Sequence, residues 1–122
     1  MFSITLGRTL SSRHFLPRLE GPEKEVHVHR YRVEATVMGD HLDHCGFLVN
    51  VDLVALSMEK ALERFEGAFL NDMPEFREAA PSMENIARAI WIKLAADIDR
   101  SCVERIKITI WEADNVSASF EQ

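Results

Sequence analysis

Two imidazoles stand one residue apart in Val26-His27-Val28-His29-Arg30-Tyr31. Alternate residues of a β-strand share a face, so such a pair can offer two nitrogen ligands to one metal ion. The alternation continues through Tyr31, Val33, Ala35 and Val37, with Arg30, Arg32, Glu34 and Thr36 on the opposite side. The histidines therefore end an apolar face and border a protected interior. His14 shares parity with Phe2, Ile4, Leu6 and Leu10 upstream and ends a second apolar face. If the two segments pair as an antiparallel hairpin across residues 17–25, His14 comes opposite His27 and His29 at the loop end. Three neutral imidazoles leave a fourth tetrahedral position open, which suits a catalytic Zn²⁺ carrying water or substrate better than a closed structural site. The same periodicity also accommodates ordinary, partly exposed strand histidines.

A second chemical candidate lies near the C-terminus. Ile106, Ile108, Ile110 and Glu112 share one face of an alternating segment, so Glu112 is an acid at the edge of an apolar surface, where a carboxylate needs a partner. It could accept two N–H donors from a guanidine-like ring edge of the kind carried by pterins and purines, or it could be a rim glutamate in a surface ion pair.

These groups must be positioned by the elements around them. Gly39-Asp40-His41-Leu42-Asp43-His44-Cys45-Gly46 reads as a loop. Val51, Val54, Ala55, Met58, Ala61, Leu62 and Phe65 then recur at helical spacing, with Glu66-Gly67 marking the end. Pro81-Ser82 introduces a second helix with Ser82 as N-cap, Glu84 in the first turn, and Met83, Ala87, Ile90, Trp91, Leu94 and Ile98 as its buried stripe. Two strands joined around Asp114-Asn115 close the chain, which makes the order ββααββ.

The length of 122 residues fits one domain spanning 1–122, and 47% hydrophobic residues supply a modest core. A net charge of −6 without a Lys/Arg run argues against a nucleic-acid partner. Cys45 and Cys102 have no CxxC spacing, and no N-terminal apolar run resembles a signal peptide or membrane span. A reduced, cytoplasmic setting away from the membrane is expected. His41-Leu42-Asp43-His44-Cys45 superficially resembles a metal loop, but 16 residues separate Cys45 from His29, on the order of 50 Å of extended strand at ~3.3 Å per residue. Solvated turn residues are the expectation there, and Cys102 is expected to be a small buried apolar residue.

Taken together, these segments resemble the 6-pyruvoyltetrahydropterin synthase family, which includes the bacterial 6-carboxytetrahydropterin synthases of queuosine biosynthesis. Ser11-Ser12-Arg13-His14 is similar to the family's Ser-Ala-Ala-His, and His27-Val28-His29 to the His-Gly-His that completes its zinc site. Gly46-Phe47-Leu48-Val49-Asn50-Val51 resembles the entry into the first helix, and Pro81-Ser82-Met83-Glu84-Asn85-Ile86-Ala87 resembles Pro-Thr-x-Glu-Asn-Leu-Ala. Trp111-Glu112 followed by Ala118 and Phe120 is similar to the terminal element whose Glu anchors the pterin ring.

The resemblance implies an α+β tunnelling fold, an antiparallel sheet with two helices on one face, whose ββααββ subunits associate into a barrel, commonly a homohexamer. It implies a lyase acting on dihydroneopterin triphosphate or a related dihydropterin, with Zn held by His14, His27 and His29 and substrate contacts from Glu112 and Ser82. The departures bear on chemistry. Glu23 stands where the family's catalytic Cys lies, four residues before the first His of His-x-His. Glu66 and Gly67 stand where its Asp-His pair precedes Leu-Asn. Glu23, Glu25 and Glu66 are then the candidate proton-transfer residues, and the alternative is a pterin- or metal-binding homologue without the standard turnover.

Overall fold

The computed structural model describes residues 1–16, 21 and 25–122. The chain forms β1 (Phe2–His14), β2 (His27–Gly39), α1 (Val51–Glu63), two short 3₁₀ turns (Leu70–Asp72 and Pro74–Phe76), α2 (Met83–Asp97), β3 (Arg105–Ala113) and β4 (Val116–Glu121). The strands make one antiparallel sheet in the order β1-β2-β3-β4. Both helices cover the same face, with the helices and the inward strand residues sharing one core. This is the ββααββ order expected from the alternating and helical periodicities.

Parity decides what the sheet buries. In β2, Tyr31, Val33, Ala35 and Val37 are almost wholly buried, and opposite them on β3 stand Ile106, Ile108 and Ile110, also fully buried. The intervening Arg30 and Arg32 face outward. On β1 only the distal half is covered, with Leu10, Ser12 and His14 buried. The helices seat on this face through Val54, Met58, Ala61 and Leu62 of α1 and Ile86, Ala87, Ile90 and Leu94 of α2. The Trp91 indole N–H donates to the Ile106 carbonyl at 2.8 Å, and its ring meets Phe120 edge-on at 5.4 Å, tying α2 to β3 and β4.

Local chemistry sets the helix ends. Asn50 caps α1 by accepting from Asp52 and Leu53 N–H, and Ser82 caps α2 by accepting from Asn85 N–H. Val51, expected in the buried stripe, is 41% exposed, and the stripe begins instead at Val54. α1 also stops at Glu63, short of Phe65, yet Phe65 remains fully buried by turning inward in the connection. Gly39 has to lack a side chain, since a Cβ there would run into the Cys102 carbonyl.

Candidate metal centre

The β1–β2 ladder runs in register to its loop end, where Ser12 faces His29 and His14 faces His27. Because all of these residues share inward parity with Leu10 and Tyr31, the three imidazoles converge at one corner of the core. Their centroids lie 4.5 Å (His14–His27), 4.5 Å (His27–His29) and 5.1 Å (His14–His29) apart. His14 is 3% exposed, and the other two are half-buried.

The surrounding contacts orient the rings. His27 Nδ1 lies 2.7 Å from the Glu25 carbonyl oxygen, so Nδ1–H donates and the lone pair resides on Nε2. That Nε2 is 2.9 Å from His14 Nε2, while His14 Nδ1 is 3.3 Å from the Tyr31 hydroxyl. Tyr31 also stacks on His29, with centroids 5.3 Å apart and planes 20° from parallel. Backbone carbonyl and phenol thus engage the ring nitrogens facing away from the cluster, the usual support of a metal-ligating histidine.

Tetrahedral Zn–N bonds of about 2.0–2.1 Å set ligand nitrogens roughly 3.3 Å apart. One donor atom from each of His14, His27 and His29 lies within 4.8 Å of the others, and among the described residues these three are the His, Cys, Asp or Glu group that could hold a metal ion. The donor set, three imidazoles converging at one corner of the core, fits such an ion.

Glu112 joins the cluster from β3. A carboxylate oxygen lies 3.2 Å from His29 Nε2, and both side chains are partly exposed. A register shift between Trp111 and Ala113 marks a β-bulge at this residue, a device that re-aims a side chain at the end of a ladder. Parity left open an acceptor for a guanidine-like ring edge or a rim glutamate in an ion pair; in the fold the carboxylate stands beside His29, partly exposed.

The remaining expected residues sit elsewhere. Ser82 uses its hydroxyl as the α2 cap, 3.3 Å from Asn85 N, and lines a cavity of about 620 Å³ with Phe15, Leu16, Asn71, Phe76 and Pro81. Phe15 and Leu16 directly follow His14, so this cavity borders the exit of β1. Glu66 is exposed, and its carboxylate accepts from Ser11 N–H at 3.2 Å. Glu25 is exposed and contributes its carbonyl to His27. Glu23 lies outside the described residues. His41, His44 and Cys45 are exposed in a separate loop, which Asp43 organises by accepting from Cys45 and Phe47 N–H. Those bonds, Phe47 first, hold the Asp43 carboxyl below its ordinary range.

Two participants escaped sequence reasoning. Tyr31 reads as a core residue from its place on the apolar face of the strand, and its position two residues after His29 on that face is the signal of its second role. Asn71 falls in the Leu-Asn of a motif match, but nothing in that motif marks its contact with β1, which it reaches across 56 residues of chain.

A family model described as 6-pyruvoyl tetrahydropterin synthase matches residues 3–122. The chain is 33% identical over 103 residues to the 6-carboxy-5,6,7,8-tetrahydropterin synthase of Bacillus subtilis (strain 168), covering 80% of this chain and 68% of that protein. It superposes on the Caenorhabditis elegans 6-pyruvoyl tetrahydropterin synthase with a TM-score of 0.78 at 20% identity, covering 100% of this chain and 97% of that one. A Plasmodium vivax 6-pyruvoyltetrahydropterin synthase with a catalytic glutamate replaced by alanine gives a TM-score of 0.80 at 16% identity, covering 99% and 97%.

Proposed function

The chain belongs to the 6-pyruvoyl tetrahydropterin synthase family, and from that premise we propose that it is a zinc-dependent lyase acting on dihydroneopterin triphosphate or a related dihydropterin. The observation that carries the reading is the convergence of His14, His27 and His29 with Glu112 against one of them. The Bacillus subtilis relative favours the 6-carboxytetrahydropterin branch, and with it a place in queuosine biosynthesis.

His14, His27 and His29 would hold the ion, and zinc bound there would polarise a substrate oxygen and acidify the neighbouring C–H bonds. The Glu25 carbonyl and the Tyr31 hydroxyl keep His27 and His14 oriented for that task. Glu112 accepts N–H donors from the pterin ring, charge-assisted hydrogen bonds that fix its orientation relative to the histidines. The Ser82 hydroxyl lines the cavity at the β1 exit and is the second proposed substrate contact.

A base must move the protons. Glu23 is the first candidate: it occupies the position of the family's thiol in sequence, and a glutamate is a catalytic residue in the Plasmodium vivax relative. Glu25 adjoins His27 through its own carbonyl. Glu66 stands beside the β1 edge that ends in His14. Each carboxylate can act as base once a bound ligand excludes water around it.

The outer edge of β4 and that of β1 ahead of Ser11 suit assembly of subunits into a barrel, proposed here to be a homohexamer. A solution mass about six times the 13.9 kDa chain supports it, and a smaller multiple overturns it. No helix among the described residues is long and apolar enough to cross a membrane. The two cysteines are unbonded, in keeping with the cytoplasmic setting proposed.

One departure favours a second reading. Cys and Asp-His are replaced by Glu23 and Glu66-Gly67, which is the pattern of a pterin- or metal-binding homologue without turnover. The deciding experiment is metal analysis of the purified protein, followed by incubation with dihydroneopterin triphosphate and mass identification of the product. About one zinc per chain with a carboxy-, pyruvoyl- or hydroxymethyl-pterin establishes the enzyme. Zinc with unaltered substrate establishes the binding homologue, and no zinc overturns the metal site. In an active protein, Glu23→Gln should abolish turnover while zinc and pterin binding persist.

A further inference from the structure

The outward side of β1 at its loop end is closed by chain that belongs to no strand. In this ladder the backbone groups of Ser11, Arg13 and Phe15 point away from β2. The Ser11 carbonyl accepts from Gly67 N–H at 2.7 Å, and Ser11 N–H donates to the Glu66 carboxylate at 3.2 Å. Arg13 N–H donates to the Ala68 carbonyl at 2.9 Å, and Arg13 bridges Phe69 in parallel sense. The last rung is made by a side chain. Phe15 N–H donates to Asn71 Oδ1 at 2.9 Å, and Asn71 Nδ2 donates to the Phe15 carbonyl at 3.1 Å.

A primary carboxamide carries its acceptor oxygen and one N–H donor side by side in one plane, so a single Asn side chain can pair with both the N–H and the carbonyl of one residue. Asn71 therefore acts as one more strand residue, pairing both backbone groups of Phe15 where no strand remains. It is itself anchored in the 3₁₀ turn Leu70–Asp72, beside the fully buried Leu70. Phe15 immediately follows His14, whose rung with His27 is the last of the β1–β2 ladder. A strand end held on one side alone frays, and here the residue at the end is a candidate ligand.

We infer that Asn71 is a positioning residue for the metal centre: its two-point clamp on Phe15 holds the end of β1 so that the His14 ring stays aimed at His27 and His29. The inference rests on the proposed zinc reading of the three histidines. It assigns Asn71 no contact with substrate or with the ion.

The test uses the whole chain in wild-type form and as Asn71→Leu, similar in volume but unable to make either bond. Asn71→Asp keeps the acceptor and loses the donor, and it serves if the leucine variant does not fold. Two quantities are read: zinc affinity by competition with a chromogenic chelator, alongside the visible spectrum of the Co²⁺-substituted protein, and amide hydrogen exchange at Phe15 without metal. Ile106→Val, in β3 away from the histidines, controls for a general loss of stability. The expected result is zinc binding about 10–100-fold weaker in the Asn71 variants, with an altered cobalt spectrum and faster Phe15 exchange, while Ile106→Val retains wild-type affinity. Unchanged Phe15 exchange, or an affinity loss no larger than that of Ile106→Val, overturns the inference. If the wild type binds no zinc, the metal reading falls and the ligand-positioning role falls with it. Accelerated Phe15 exchange in Asn71→Leu would then show the clamp to be structural only.

Discussion

Each residue at the metal corner answers to a separate physical demand. The three imidazoles supply neutral nitrogen donors, whereas Glu112 supplies charge at a bulge where β3 leaves the ladder. Glu112→Gln keeps the shape and removes the charge. The expected outcome is pterin binding weakened by about 1.5–3 kcal/mol, the worth of a charge-assisted hydrogen bond, with zinc content unchanged. Titration of pterin fluorescence against both proteins checks it, and a parallel loss of zinc would instead tie Glu112 to support of His29. The histidine triplet was legible in the sequence because period-two alternation assigns faces without reference to any other element. Asn71 was not legible: its role depends on a turn 56 residues away from its partner meeting an open strand edge.

Helices and loops hold the site in place through their ends. The Ser82 hydroxyl caps α2, and α2 is the helix fastened to β3 by Trp91. Ser82→Ala should lower unfolding free energy by about 1 kcal/mol, and Ser82→Thr should restore most of it. Chemical denaturation curves with unchanged slope check this, and a pterin affinity that falls in the alanine variant but returns in the threonine variant supports a direct substrate contact. The loop around Asp43 offers a pH prediction. Its carboxyl is held below the ordinary 3.8 by the Phe47 N–H first, so this contribution is fully present above pH 3.8 and disappears as pH falls through the lowered value. Exchange protection of the Phe47 amide should persist at pH 4 and be lost further into acid, and Asp43→Ala should lack it throughout. The helix caps were legible from residue type and spacing. The early stop of α1 at Glu63 was not, because it reflects the connection bending to reach the β1 edge.

For the molecule as a whole, the corner holding the histidines is an edge of the common core, so metal binding and global stability are linked. A ligand that binds only the folded state at a hundredfold its Kd adds about 2.7 kcal/mol. Stripping metal with a chelator should therefore lower the thermal midpoint by several degrees, and Zn²⁺ but not Mg²⁺ should restore it. Equal midpoints with and without chelator would place the ion outside the folded structure. Ile108→Ala, at the centre of the sheet and fully buried, should cost 2–5 kcal/mol, much more than any change at the exposed loop of His41, His44 and Cys45.

The sequence by itself determined the inward face of β2 and β3, the order of the elements, the register parity that pairs His14 with His27, and the family, since these follow from local periodicity and from motifs contiguous in the chain. Tertiary structure alone decided that Tyr31 supports His14 and stacks on His29, that Glu112 reaches His29 across a bulge, and that residues 66–71 close the β1 edge with an asparagine as the final rung. Apart from the Tyr31–His29 stack within β2, those contacts join separate segments, and their distances depend on how the strands twist and where the chain turns back, quantities that no local pattern of residue types encodes.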